Sequence, residues 1–160
     1  MRIGQGFDVH RLGVEGSAES IRLGGVDVPY SRELIAHSDG DVVIHALCDA
    51  MLGALALGDI GRHFSDKDPA YKNIDSLVLL GETNSMITEK GYAIVNADIT
   101  VIAEAPRMSP FVTSMCERLA DVLGCPADRV SVKATTTEKV GFIGRGEAIA
   151  AQAVVLVKDV

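Results

Sequence analysis

"AIAAQAVVLV", residues 148–157, is apolar on both of its alternating faces apart from Gln152. Successive side chains of a strand point to opposite sides of the sheet, so this composition predicts a strand in a sheet covered on both faces. Working back from it, Arg129–Ala134 reads as a short strand, and Tyr92–Ala103 as a longer one with Ala93, Val95, Ala97, Ile99 and Val101 on one face. Met1–His10 alternates as a strand, and Ile21–Pro29 places Gly24-Gly25 between two extended pieces in the manner of a hairpin. Three helices separate these strands. From Ser38, with Asp39 as cap, Val43, Leu47, Ala50, Met51 and Ala54 recur at helical spacing until Gly58. A polar loop, residues 58–72, leads to a second helix over 73–90 that Gly91 ends, and Ser109-Pro110 starts a third that Gly124 closes. Strands, helix, helix, strand, helix, strand and strand make an α+β protein with a mixed β-sheet. Three helices suffice for one face only, so the other face is expected to meet a second copy of the chain; the alternative is helices on both faces.

The 160 residues are 48% hydrophobic and 23% charged, which suits a single domain over 1–160 with its own core. The longest apolar stretches are about half of the ~20 residues that a membrane-crossing helix needs. The N-terminus lacks the basic-then-apolar run of a secretory signal, so a cytoplasmic protein is expected. Cys48, Cys116 and Cys125 show no CxxC spacing and read as buried free thiols. A net charge of −7, without a basic stripe, argues against nucleic acid as a partner.

Within "GQGFDVH", residues 4–10, Asp8 and His10 are two apart on a strand and present an oxygen and a nitrogen to the same side. The first helix carries Asp41, His45 and Asp49 at four-residue spacing, a polar stripe opposite the apolar one, with His45 as the best third ligand. One carboxylate and two imidazoles suit Zn²⁺ and leave a coordination position open for substrate. On spacing alone, a strand with a polar edge beside a solvated helix face remains the alternative. "KATTTEKVGFIGRG", residues 133–146, reads as a polar turn between strands that offers hydroxyl and N–H donors to phosphate, with Glu138 able to hold a hard cation; a threonine-rich hairpin is the plainer alternative. "AHSDGD" (36–41) and "GDIGRHFSD" (58–66) likewise have plain readings, as a capped helix start and a turn.

Together, GQGFDVH, AHSDGDVVIHAL (36–47), LGDIGRHF (57–64) and KATTTEKVGFIGRGEAIA (133–150) resemble, in order and end to end, the 2-C-methyl-D-erythritol 2,4-cyclodiphosphate synthase family of the non-mevalonate isoprenoid pathway. The resemblance implies a homotrimer with sheets facing inward and active sites between subunits. It implies conversion of 4-diphosphocytidyl-2-C-methyl-D-erythritol 2-phosphate to the cyclic diphosphate with release of CMP, a phosphorus–oxygen lyase reaction. Carried over by position, it makes Asp8, His10 and His45 the zinc ligands and Glu138 the contact to a second divalent ion, Mg²⁺ or Mn²⁺. His37 and Thr136 match transition-state stabilising positions. Ser38, Asp59, Gly61, Phe64 and Asp66 match the erythritol side, and Ala103–Met108, including Pro106, with Thr135, Phe142 and Arg145, the cytidine and phosphate side. Gln5 and Glu104 depart from the histidine and glutamine common in the family; Glu104 is expected to affect the nucleotide pocket.

The nucleophile implied is a phosphate monoester, dianionic near neutral pH because its second pKa is about 6. It needs no strong base; it needs cations to offset its repulsion from a diphosphate, and a held near-attack geometry. Asp49, one turn after His45, is a candidate to orient that imidazole, with a substrate contact or solvated charge as alternatives. Two rivals stand beside the cyclase. One is a zinc phosphohydrolase with water as nucleophile; the other is a non-catalytic trimer holding metal or an isoprenoid diphosphate in its apolar centre, with Arg145 and Glu147 near the mouth. The Thr135–Glu138 cluster argues against the second.

Overall fold

The computed structural model describes residues 1–65 and 68–160. Among these residues seven strands run in chain order, β1 (Arg2–Leu12), β2 (Ser20–Leu23), β3 (Val26–Pro29), β4 (Leu34–Ile35), β5 (Tyr92–Ile102), β6 (Val130–Thr135) and β7 (Ala148–Asp159). The helices are α1 (Val42–Ala54), α2 (Ile60–His63), α3 (Ser76–Glu89), α4 (Val112–Leu123) and α5 (Gly141–Gly144). Five strands form one sheet in the order β4-β1-β7-β5-β6, mixed because β5 and β6 run parallel while the other pairs are antiparallel. The hairpin expected around Gly24-Gly25 is present as a separate β2–β3 sheet. The α+β class and mixed sheet are as the element order implies.

α1, α3 and α4 pack on one face of the sheet. There Ile149, Ala151, Ala153, Val155 and Val157 of β7 join Ile99 and Val101 of β5 and Leu47 and Met51 of α1 in the core. Burying each larger aliphatic side chain contributes about 1.5–3 kcal/mol. Much of the opposite face is open in the single chain: Ile3, Phe7 and Val9 are 70%, 50% and 38% exposed, and Val154 37%. Thus the second apolar face of 148–157 is covered only in part among the described residues, at Ala148 and Ala150, where α5 packs against β7. No helix of the described residues is long and apolar enough to cross a membrane.

α1 lies against β1 at backbone contact. A methyl group on Gly4 would fall 1.8 Å from the Ala50 carbonyl oxygen, and one on Gly6 2.0 Å from that of Ala46. Only glycine permits this approach, and Gly4, Gly6, Asp8 and His10 share one side of the strand.

Several expectations shift. Asp41, not Asp39, caps α1: its carboxylate accepts from the Val43 and Ile44 N–H groups at 3.1 Å and from Gly24 and Gly25 of the hairpin turn at 2.9 and 2.8 Å. Burial pushes this carboxyl up, while the N–H groups pull it back. The helix stops at Ala54 rather than Gly58, because Ala56 turns into the left-handed region at φ 56°. α3 and α4 each begin a few residues later than read, at Ser76 and Val112, and Gly124 closes α4 in the left-handed conformation as expected. Asp41, His45 and Asp49 form no solvated stripe, since Asp41 and His45 are buried. Of the three thiols only Cys48 is fully buried, which pushes it up to about 12; Cys116 and Cys125 are half-buried. β4, two residues long, was too short to leave a pattern, and α5 occupies what reads as a simple turn.

Candidate metal centre

Asp8 and His10 project from β1 toward α1, where His45 meets them one turn after the Asp41 cap. His45 Nδ1 lies 3.0 Å from Asp8 Oδ2 and 3.1 Å from His10 Nε2, and His10 Nε2 lies 3.0 Å from the same Asp8 oxygen. These three atoms form a nearly equilateral triangle. Tetrahedral coordination with bonds of about 2.0–2.1 Å requires ligand atoms about 3.3 Å apart, so the triangle needs to open only by a few tenths of an ångström. The other carboxylate oxygen, Oδ1, is taken by the Val9 N–H at 2.9 Å. Burial pushes the Asp8 carboxyl up, but hydrogen bonds from His10 and His45 outweigh it and hold the group well below the usual carboxylate range. For His45, burial lowers and the hydrogen bond and charge of Asp8 raise; the net direction is up. An anionic corner between two imidazoles is the donor set for a borderline dication. These three residues form a candidate metal-binding triad.

A cavity of about 180 Å³ opens beside the triad, lined also by His37, Ser38, Ile60, Gly61, Phe64 and Tyr71. His37 Nε2 is buried without a hydrogen-bond partner among the described residues, which an incoming acceptor or donor would satisfy. Phe64 is buried and meets Tyr71 edge-on at 5.5 Å. Asp59 accepts from Arg62 N–H as the cap of α2 and is not among the lining residues; Asp66 lies outside the described residues. Asp49 makes no hydrogen bond to His45 among the described residues. It accepts the Ile60 N–H at 2.7 Å and so tethers α2, with Ile60 and Gly61, to the rim of the cavity. The groups that do hold the far side of His45 are hydroxyls: Nε2 lies 2.9 Å from Ser76 Oγ and 3.2 Å from Ser38 Oγ. Ser76 begins α3, and nothing in its local sequence marks it as a neighbour of His45.

The second constellation lies elsewhere. None of residues 103–108 or 133–147 lines the cavity. Thr135 pairs with Ile102, Ile102 with Ala150 and Ala150 with Val9, which places Thr135 three strands, about 14 Å, from Val9 and on its face of the sheet. Asp8 and His10 point to the opposite face. Thr136 Oγ1 donates to Glu138 Oε1 at 3.0 Å, and both are exposed. Ala103 and Met108 are buried in the core, so their backbone is what they offer a ligand; Pro106 is half-buried and Phe142 exposed. Arg145 Nε donates to Glu147 at 2.6 Å.

Glu104 tethers this loop. Its Oε1 accepts from the Thr137 N–H at 2.9 Å and the Lys139 N–H at 3.2 Å, and lies 3.1 Å from Thr137 Oγ1, whose proton has the Val140 carbonyl at 2.7 Å as its shorter acceptor. These donors, the Thr137 N–H first, hold its carboxyl below the usual range. Because a single oxygen receives both N–H groups, Glu104→Gln should keep the loop in place, while Glu104→Ala should release it. Amide hydrogen exchange at Thr137 and Lys139 checks this: faster by about 5-fold or more in the alanine variant and near wild type in the glutamine one.

The YgbB family model matches residues 1–158. A 2-C-methyl-D-erythritol 2,4-cyclodiphosphate synthase of Escherichia coli (strain 536) is 60% identical over 98% of this chain and 96% of its own, and one of Aliivibrio fischeri is 56% identical over 98% and 97%. Among solved structures, the IspF CDP complex of Plasmodium falciparum superposes with a TM-score of 0.86 at 35% identity, covering 99% of this chain and 96% of that one. The bifunctional IspDF of Campylobacter jejuni gives 0.93 at 43% identity, with 99% of this chain matched to 42% of that longer one. Matched in fold and sequence along almost its whole length, the chain belongs to the YgbB family, in the company of the 2-C-methyl-D-erythritol 2,4-cyclodiphosphate synthases.

Proposed function

We propose that this chain is an enzyme of non-mevalonate isoprenoid biosynthesis that cyclises 4-diphosphocytidyl-2-C-methyl-D-erythritol 2-phosphate to 2-C-methyl-D-erythritol 2,4-cyclodiphosphate and releases CMP. The observation that carries the reading is the triangle of Asp8, His10 and His45 ligand atoms at the wall of a cavity, in a chain 60% identical to a synthase of that name. When bound, zinc at the triad and Mg²⁺ or Mn²⁺ at Glu138 supply Lewis-acid neutralisation of the phosphate charges. His37, through its unpartnered Nε2, and Ser38 bind and orient the substrate beside the triad, and Gly61 and Phe64 enclose its erythritol part away from water. Thr135, Thr136 and Arg145 hold phosphate oxygens, with the 103–108 backbone and Phe142 on the cytidine side. The CDP complex of the Plasmodium falciparum relative supports a cytidine diphosphate group as ligand.

One chain supplies these two groups of residues on opposite faces of its sheet. A homotrimer, with the bare faces turned inward, joins the cavity half of one copy to the nucleotide half of its neighbour and covers Ile3, Phe7, Val9 and Val154. A cytoplasmic location is part of this proposal.

Phosphorus-31 NMR of the product tests the reading. Incubation of the zinc- and magnesium-loaded protein with substrate is expected to give a cyclic diphosphate and one CMP per turnover. A linear, hydrolysed diphosphate would assign the phosphohydrolase instead.

A further inference from the structure

His45 is held from two sides. Its Nδ1 faces Asp8 and His10, and its Nε2 faces Ser76 Oγ at 2.9 Å. Ser76 is fully buried, and its hydroxyl lies 2.5 Å from Asp39 Oδ1. Asp39 also takes the Ser76 N–H on Oδ2 at 2.9 Å and the Asp41 N–H on Oδ1 at 3.2 Å. Its carboxylate therefore sits at the first turn of α3, where unpaired N–H groups favour negative charge.

The donor count fixes the direction of every bond in this chain. An ionised carboxylate can only accept, and a serine hydroxyl has one proton. Ser76 gives that proton to Asp39, the shorter of its two side-chain contacts, and is left with lone pairs toward His45. Nε2 must then carry a proton, and Nδ1, which bonds Asp8 in the metal-free chain, is the nitrogen left to give its proton up to a metal. Ser38 Oγ, 3.2 Å from Nε2, adds a second acceptor on the same side.

We infer that Ser76 and Asp39 are positioning residues for metal binding: the relay His45 Nε2–H···Ser76 Oγ–H···Asp39 selects the tautomer and ring plane in which Nδ1 is offered beside Asp8 and His10. The inference rests on the metal reading above and extends it to two residues that touch neither metal nor substrate. It also gives the segment 36–41 a further task. Ser38 and Asp39 bring the cavity wall, the relay and, through the Asp39 N–H to Ile74 O bond of 3.3 Å, the entry to α3 into one unit. Asp49, the residue that helix spacing offers for this task, is bonded to Ile60 instead.

Outer partners of metal-bound histidines are commonly worth 10–100-fold in metal affinity. Ser76→Ala and Asp39→Asn are therefore expected to weaken zinc binding by about that factor, measured by competition with a chromophoric chelator, with circular dichroism of the metal-free chain unchanged. In Asp39→Asn the amide NH2 faces either the Ser76 N–H, a donor–donor clash, or Ser76 Oγ, which reverses the relay; either way the arrangement that orients His45 is weakened. Ser76→Thr, which retains the hydroxyl, should restore affinity. Ring nitrogen-15 shifts of His45 in the zinc-loaded wild type should show Nε2 protonated and Nδ1 ligated. Ligation through Nε2, or wild-type affinity in both Ser76→Ala and Asp39→Asn, overturns the relay while leaving the metal centre standing. Absence of zinc uptake by the wild type overturns the metal reading, and the relay with it.

Discussion

His45→Ala should give a folded protein that neither retains zinc nor releases CMP. The triad has three ligand atoms within 3.1 Å of one another, and the substitution removes the one that α1 contributes. Asp8 and His10 then offer a two-point grip, short of the three protein ligands a catalytic zinc site uses. A dication at transferring phosphoryl groups is worth several kilocalories per mole of transition-state charge stabilisation. About 4 kcal/mol corresponds to a 10³-fold fall in rate. The effect should be at least that large here, because the chain itself is anionic and contributes a net charge of −7. The fold should survive: His45 sits at the rim of the core and its side-chain hydrogen bonds run to Asp8, Ser76 and Ser38. A destabilisation of about 1–3 kcal/mol is the usual range for such a site. Metal content after dialysis, chromatographic CMP release and thermal melting check the three parts separately. His63→Ala is the control, since that imidazole, on α2, bonds the Leu57 carbonyl before the helix and should leave zinc content untouched. A variant lacking His45 that turns over at the wild-type rate would remove the metal-dependent proposal.

The parts of this molecule that were legible in the sequence are those fixed by local chemistry. Strand alternation marked β1 and β5, a run apolar on both faces marked β7, and Gly91 and Gly124 marked two helix ends at φ 77° and 66°. The D-x-H pair was readable because a strand's period of two sends both side chains one way. What stayed hidden depends on contacts between distant segments. Asp39 and Asp41 are equally good caps by residue type; the Gly24-Gly25 turn, brought over α1 by the fold, decides for Asp41. Asp49 sits at the right helical spacing from His45, yet α2 takes its carboxylate. Ser76 carries no signal at all, since its role comes from the 36–41 segment crossing the first turn of α3. The apolar outer face of β7 was read as meeting a second copy of the chain; in the single chain its Val154 is 37% exposed while Ala148 and Ala150 are buried, and the copy itself belongs to the proposed trimer.

Two glycine-to-alanine exchanges in the same strand–helix pair should move stability in opposite directions. Gly6→Ala places a methyl group 2.0 Å from the Ala46 carbonyl oxygen and 2.7 Å from the Ala50 nitrogen. Both are backbone atoms inside a helix, so relief requires moving α1 as a body away from β1. Forcing extra volume into a packed core typically costs 1–3 kcal/mol and sometimes more; with rigid backbone as the obstacle, about 3 kcal/mol or more is expected. For a chain of this size that lowers the melting temperature by about 6–12 °C. Gly53→Ala lies on α1 itself, at an exposed position where the new methyl meets nothing nearer than the Gln5 carbonyl oxygen at 3.8 Å. There alanine relieves the entropic cost of a helical glycine and should stabilise by about 0.5–1 kcal/mol. Only Gly6→Ala should also cost zinc. A shift of α1 by even 1 Å lengthens the 3.0 Å approach of His45 Nδ1 to Asp8, and the triad loses its common point. The pair of variants thus separates packing from ligation: His45→Ala loses metal with the helix in place, Gly6→Ala loses metal because the helix has moved. If Gly6→Ala melts like the wild type and keeps its zinc, the close docking of α1 on β1 is not what assembles the centre.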